Sequence, residues 1–355
     1  MDNFFIHFVL CNITIGLFVL ILLCMKRIFK HCLTPRMQFN LWIPFTISLL
    51  VPFLPVSFST LSTKMQDLFH PLAHFSHTVH TTNTSEYTSS STNQIYDYAI
   101  SMRTQFPVYI STIFCVIWGI GMFVMLFSFV RSLVLLHHMR RTANLMQDKR
   151  IHAIYMTCLS ELQLRKSIPL YSSSIIDTPV STGILRPAIF LPLHRISNFE
   201  EQEIRYILLH ELMHCYYKDA IFNYCMNIIR ILYWFHPLIW LITKEFYTER
   251  ELACDTSVLR LLGANEQISY GVTLLHFVDK QTNTPLSLLN NLSENAKQMK
   301  RRILNIKQHQ PLTIQKKLHS ILSFLLSLLV ILCGTPWLSV HASDSITSGI
   351  QNRSP

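Results

Sequence analysis

Residues 206–255 read YILLHELMHCYYKDAIFNYCMNIIRILYWFHPLIWLITKEFYTERELACD, and the spacing of a few side chains within them decides the fold. His210, Glu211 and His214 form H-E-x-x-H on a predicted helix. Two histidines four residues apart on an α-helix differ by about 40° of rotation, so both imidazoles reach one zinc ion. Glu211, beside the first histidine, sits to one side, where it can take a proton from water polarised by that ion. The bland alternative is a surface histidine pair, and a third ligand separates the two. Downstream, TERELACD carries Glu251 and Asp255, again four apart on a predicted helix. Residues 219–235 predict an apolar helix about 24 Å long, and the stretch from Pro237 to Glu251 adds about 21 Å. A hairpin turning at Pro237 has matched arms and returns Glu251 to the level of His214. Without that hairpin Glu251 would be an ordinary solvated acid.

The expected ligand set is therefore His210, His214 and Glu251, with an open position for water. Asp219 and Asp255 are placed to orient ligand histidines from behind. Asp219 is equally suited to cap the helix it begins, and the sequence leaves both open. Cys215 and Cys254 read as packing residues, because two histidines and a carboxylate already fill the site. The hairpin also decides whether residues 220–242 cross a membrane. If they did, His214 and Glu251 would lie on opposite sides of it and could not share a metal. Asn223, Asn227 and Arg230 argue the same way. A hairpin that is buried or lies at the membrane surface is expected. Upstream, Ser197 or Asn198 with Glu200 or Glu201 predicts the start of the histidine-bearing helix. Residues 168–176 and 184–191 predict two β-strands separated by Thr178-Pro179 and Gly183. Residues 131–164 predict a helical stretch with basic punctuation.

The rest of the chain is poorer in charge than a soluble domain, with 50% hydrophobic and 14% charged residues among 355. That excludes a disordered chain, and eight glycines leave no Gly-rich phosphate loop. Four stretches are apolar enough to span a bilayer: residues 4–25, 41–58 (kinked by Pro44, Pro52 and Pro55), 107–130 and 318–338. Basic residues follow the first stretch, the reverse of a cleaved signal peptide, so a retained anchor is expected. Of the 30 Lys and Arg, 23 lie in residues 131–317, and residues 26–40 carry four basic residues and no acid. Residues 59–105 carry two basic residues against three acids. The positive-inside rule then places both chain ends and the 59–106 loop outside, with residues 131–317 forming a cytoplasmic domain. The expected organisation is a membrane region over 1–130, that domain, a fourth span over 318–338 and a short outer tail over 339–355. This topology accounts for most of the net charge of +10, so direct nucleic-acid binding is not expected.

Nine cysteines, none between Ser59 and Gln105, speak against a disulfide framework. In the outer loop His70, His74, His77 and His80 would share one helical face, able to bind a metal or to respond to pH. Pro71 and the tract TTNTSEYTSSSTN favour a solvated loop instead.

Taken in order, STGILRPAIFLP, YILLHELMHCYYKDAIF, WFHPLIW, RELACD, ISYGVTLL and KRRILNIK are similar to the BlaR/MecR-type sensor-transducers of β-lactam and methicillin resistance. These are membrane zinc metallopeptidases, and the similarity covers nearly the whole chain. The resemblance implies a mainly α, polytopic membrane protein of four transmembrane helices. It implies a cytoplasmic α+β gluzincin-like domain with a small β-sheet, one Zn2+ on His210, His214 and Glu251, and Glu211 as base. It further implies a latent endopeptidase that signalling activates to cut itself at a basic pair, here Arg301-Arg302. The output would be loss of a cytoplasmic winged-helix repressor, direct or indirect, and induction of resistance genes at the plasma membrane. By residues alone, Arg301 and Arg302 are only a basic cluster before a span. One departure is large: no extracellular penicillin-binding domain is expected, since about 17 residues follow Leu338 and none is lysine. Direct acylation by a β-lactam is then not expected, and sensing falls to the 59–105 loop or to a separate extracellular sensor. The competing class is a non-catalytic membrane transducer whose zinc is structural. The inducer and the oligomeric state, a homodimer among the options, stay open.

Overall fold

The computed structural model describes residues 2–29, 33–50, 108–164, 166–174, 176–279 and 289–309, and beyond them only Leu318, residues 321–325 and Leu328. The 59–106 loop with its four histidines, residues 51–58 of the second expected span, most of the fourth and the tail lie outside the described residues. The chain is mainly helical. It begins with α1 (Asp2–Ile28), α2 (Pro35–Asn40) and α3 (Trp42–Leu50), and continues with α4 (Val108–Thr142). Then come β1 (Asn144–Leu145), α5 (Lys149–Glu161), β2 (Leu170–Ser172), β3 (Val180–Thr182), β4 (Ala188–Leu191) and the single turn α6 (Leu193–Ile196). The site region is α7 (Glu201–Tyr216), α8 (Asp219–Leu232), α9 (Pro237–Leu262), α10 (Gln267–Asp279) and α11 (Leu289–Lys307).

Local chemistry sets several of these limits. The Thr34 hydroxyl accepts from the Met37 amide ahead of Pro35, and Asp148 accepts from the Arg150 and Ile151 amides. Pro237 opens α9 at the position where a missing N–H costs nothing, and Gly263, at φ +80°, closes it. Helix α7 starts later than Ser197 or Asn198, because α6 and a turn occupy those positions. The Glu200 amide donates to Glu203 instead, at 3.0 Å.

The sheet has four strands in the order β1-β2-β4-β3, two more than the sequence predicts. β2 and β4 pair in parallel, while β1 and β3 run antiparallel to their neighbours and form the edges. Pro179 precedes β3 and Gly183 ends it. At φ +107°, with a Cβ there 2.4 Å from the Arg186 carbonyl, only glycine makes this turn.

Two apolar clusters organise the helices. One joins the sheet, α5, α7, α10, α11 and the C-terminal half of α9 through residues such as Leu208, Leu212, Val258 and Ile306. The other packs α1, α2 and α3 onto the α8–α9 hairpin through Phe18, Phe39, Trp42, Met226, Ile242 and Phe246. One face of the apolar run of residues 220–242 is thus covered by the N-terminal helices, while Ile228, Trp240 and Leu241 stay exposed, and its ends return to the same side. Helix α4 runs on from the expected span into the helical stretch expected after Arg131, which β1 interrupts between Thr142 and the start of α5 at Lys149. Among the described residues, Thr112–Thr142 is the one helical stretch long and apolar enough to cross a membrane, with an unburied apolar window. At its C-terminal end Met139 packs on Ala188 and Phe190 of β4. Midway, Gly121 meets the hairpin tip so closely that a Cβ there would stand 2.2 Å from the Trp234 ring. The Trp234 indole donates to the Trp118 carbonyl beside it, at 3.2 Å.

Candidate metal centre

Helix α7 is buried along the face that carries Leu208, Leu209 and Leu212, which holds His210 and Glu211 inside the protein. His214 lies one turn on, and the helix stops at Tyr217. Lys218 takes a left-handed conformation, φ +56°, and throws the chain back so that Asp219 starts α8 beneath His214. The hairpin then rises and returns, bringing Glu251 of α9 to the two imidazoles. His210 Nε2 lies 3.2 Å from His214 Nε2 and 3.3 Å from Glu251 Oε2, while His214 Nε2 lies 3.8 Å from Glu251 Oε1. These groups and Glu211 line one cavity of about 380 Å³, bordered by Val180 and Ser181 of edge strand β3.

The outward ring nitrogens fix the tautomers. His214 Nδ1 lies 2.7 Å from Asp219 Oδ2, and a carboxylate only accepts, so Nδ1 holds the proton. Tyr270 donates its hydroxyl proton to Asp255 at 2.7 Å, so its oxygen is the acceptor for His210 Nδ1 at 2.9 Å. In the neutral rings both Nε2 lone pairs are therefore bare and face each other beside an ionised carboxylate. Two bare lone pairs at this range repel unless a cation lies between them. Zinc bonds of about 2.0–2.1 Å at tetrahedral angles separate ligand atoms by about 3.3–3.4 Å, close to the observed spacing. The donor set fits such an ion.

Electrostatics prepares the same atoms. Burial alone would raise the Glu251 carboxyl, but Arg250, then the two histidines and Arg302, hold it well below the usual carboxylate range. Arg250 Nη2 donates to Glu251 Oε1 at 2.6 Å, and Arg302 Nη1 lies 3.5 Å from Oε2. For His214, burial works against the charged form, yet Asp219, Glu251 and Glu211 outweigh it and raise the group above an ordinary imidazole.

Cys254 is a rival by distance, since its Sγ and nitrogens of both histidines fall within 4.8 Å of one another. Its position argues otherwise. The thiol lies 3.5 Å from His210 Nδ1, the nitrogen turned away from His214, and donates to the His210 carbonyl. Burial, then Glu251 and Asp255, push it well above the usual thiol range, and burial likewise pushes Cys158 and Cys215 up to about 12. Cys24, Cys115, Cys158, Cys215, Cys225 and Cys254 are all free.

Asp219 Oδ2 contacts His214, and Asp219 Oδ1 makes no hydrogen bond among the described residues. Asp255 reaches His210 mainly through Tyr270, a residue of the ISYGVTLL stretch to which the sequence alone assigns no role. Arg302 has specific partners that a basic cluster before a span does not announce. Its side chain is 11% exposed, and its Nε and Nη2 each donate to Asp255 at 2.8 Å. Its neighbour Arg301 is half-exposed and pairs with Glu245, nearer the start of α9, at 2.9 Å. The bond between them lies inside a helix.

A buried histidine pair facing a carboxylate across a cleft is the donor set of a metal-dependent hydrolase, and sequence comparison points to the same class. The profile of the BlaR1 peptidase M56 family matches residues 6–306, and the chain belongs to that family. It is 31% identical over 98% of its length to the regulatory protein BlaR1 of Bacillus licheniformis. It is 24% identical over 81% of its length to BlaR1 of Staphylococcus aureus, and 26% over 67% to the methicillin resistance mecR1 protein of the same organism. The chain spans 58%, 48% and 40% of the respective lengths of these relatives.

Proposed function

We propose that this chain is a membrane-embedded zinc endopeptidase and signal transducer with a gluzincin-like catalytic domain on the cytoplasmic side. The observation that carries this reading is the convergence of two bare Nε2 atoms and the Glu251 carboxylate, each Nδ1 being engaged by an acceptor. His210, His214 and Glu251 would hold the ion. When bound, zinc supplies Lewis acidity at the scissile carbonyl and lowers the pKa of water. The Glu211 carboxylate takes the proton of the attacking water and returns it to the leaving amide nitrogen. Edge strand β3 offers its free backbone groups to an extended peptide, which can add by β-pairing along the cleft.

The apolar, unburied helix α4 supports anchoring in lipid, and with α1, α3 and residues 318–338 completes a four-span plasma-membrane topology. Domains over 1–130 and 131–317, with both termini outside, follow from the charge distribution. The substrates in this reading are the chain itself at Arg301-Arg302 and a cytoplasmic repressor of resistance genes. Cutting at Arg301-Arg302 requires α11 to unwind first, because helical amides cannot pair with a strand edge.

A Glu211→Gln variant tests this, as it keeps ligation and removes the base. The full-length variant is expected to retain wild-type zinc content while self-cleavage and repressor loss on induction disappear. If both persist, the non-catalytic transducer with structural zinc replaces this reading.

A further inference from the structure

Each ligand imidazole is backed by a buried carboxylate, and each carboxylate is met by an arginine from outside the α7–α9 unit. We propose that Arg36 and Arg302 are positioning residues for the metal centre, Arg36 acting through Asp219 on His214 and Arg302 through Asp255 and Tyr270 on His210. The proposal rests on the zinc reading of the site and deepens it.

Asp255 is 0% and Asp219 2% exposed, so neither can rely on water for its charge. Arg302 meets Asp255 with a two-pronged fork at 2.8 Å and 2.8 Å, the strongest arrangement available to a carboxylate. With that charge balanced, Asp255 accepts from Tyr270, and Tyr270 fixes the Nδ1 proton of His210. On the other side Arg36 Nη2 lies 3.7 Å from Asp219 Oδ1, and its guanidinium stacks 3.3 Å from the Tyr217 ring at the end of α7. That pairing is looser, since Arg36 Nη1 and Asp219 Oδ1 make no hydrogen bond among the described residues. The consequence is an ordered difference. Arg302 holds its imidazole through a chain of four short hydrogen bonds, whereas Arg36 holds its own through charge and stacking.

The origin of the two side chains gives the arrangement its meaning. Arg36 belongs to α2, which links α1 to α3 at the N-terminal end of the chain. Arg302 belongs to α11, which leads toward residues 318–338 at the other end. Neither helix contributes a ligand, yet Arg36 supplies the counter-charge behind one ligand and Arg302 behind two, His210 through Asp255 and Glu251 directly at 3.5 Å. A shift of either helix would reach the metal as a change in imidazole orientation and basicity. By reciprocity, metal binding favours the docked position of both helices.

The test uses the full-length chain in detergent, with folding checked by circular dichroism. Zinc affinity is measured by chelator competition, and geometry by the visible absorption of the cobalt-substituted protein. Arg302→Gln is expected to lower zinc affinity by about 10–100-fold and to shift the cobalt bands. Arg302→Lys, which keeps the charge and loses the fork, recovers part of both. Arg36→Gln gives a smaller loss in the same direction, and Arg36→Lys recovers part of that. Arg205→Gln is the control: Arg205 pairs with Glu161 and Glu266 away from the site, so both readouts stay at wild type. Should Arg302→Gln fail to fold, combining it with Asp255→Asn removes the unbalanced charge and still shifts the cobalt bands. Folded Arg302 and Arg36 variants with wild-type affinity and spectrum overturn the proposal alone. A wild-type chain that binds neither metal overturns the zinc reading and the proposal with it.

Discussion

Helix α9 passes through two unlike environments, and the contrast between its halves says how this protein divides stability from chemistry. Its first half carries Ile239, Ile242 and Phe246 into the cluster built with α1, α2 and α3. There the Phe246 ring meets Phe39 and Trp42 at centroid distances of 5.4 and 5.9 Å. Its second half buries three acids within seven residues, Glu249, Glu251 and Asp255. Each is answered by a base: Lys26 at Glu249, Arg250 and Arg302 at Glu251, Arg302 again at Asp255. Apolar packing is non-directional and tolerates a repacked neighbour, whereas buried charges work only with their partners in place. The first half sets how firmly the hairpin is held. The second sets what it holds.

Substitutions in the two halves should therefore fail differently. Phe246→Ala is expected to cost about 3–5 kcal/mol of stability, read by denaturation in detergent, while zinc affinity of the folded fraction stays at wild type. Coupled loss of both would mean that the halves are not separable. Glu251→Gln should have the opposite signature: zinc affinity falls by about 100-fold or more, beyond the effect of an outer partner, with folding preserved. Tyr270→Phe is milder, lowering zinc affinity by about tenfold, since the ligand remains and only its support is lost. Cys254→Ser should be the smallest, with zinc content unchanged by elemental analysis. Zinc lost from Cys254→Ser and kept by Glu251→Gln would make the thiol the third ligand.

The two halves also differ in how much of them the sequence discloses. The positions of His210, Glu211, His214 and Glu251 follow from helical rotation and arm length, because a proline-turned hairpin is a rigid ruler. Ile242 and Phe246 announce burial by type. Arg36 and Arg302 do not, since an arginine before or after an apolar segment looks like a topology marker until its partner is seen. Tyr270 is hidden for the converse reason, as an aromatic on a mostly apolar helix gives no sign that its hydroxyl bridges two polar groups. Strands β1 and β3, of two and three residues, are too short to display alternation, and pairing with β2 and β4 forms them.

Gly121 leaves the indole of Trp234 no clearance. A joint without play passes displacement on instead of absorbing it, so tilting α4 drags the tip of the hairpin along. Its two arms behave as stiff rods that end near Asp219 and Glu251. A small swing at the tip thus arrives at the opposite end as a scissoring of the two carboxylates that flank the imidazoles.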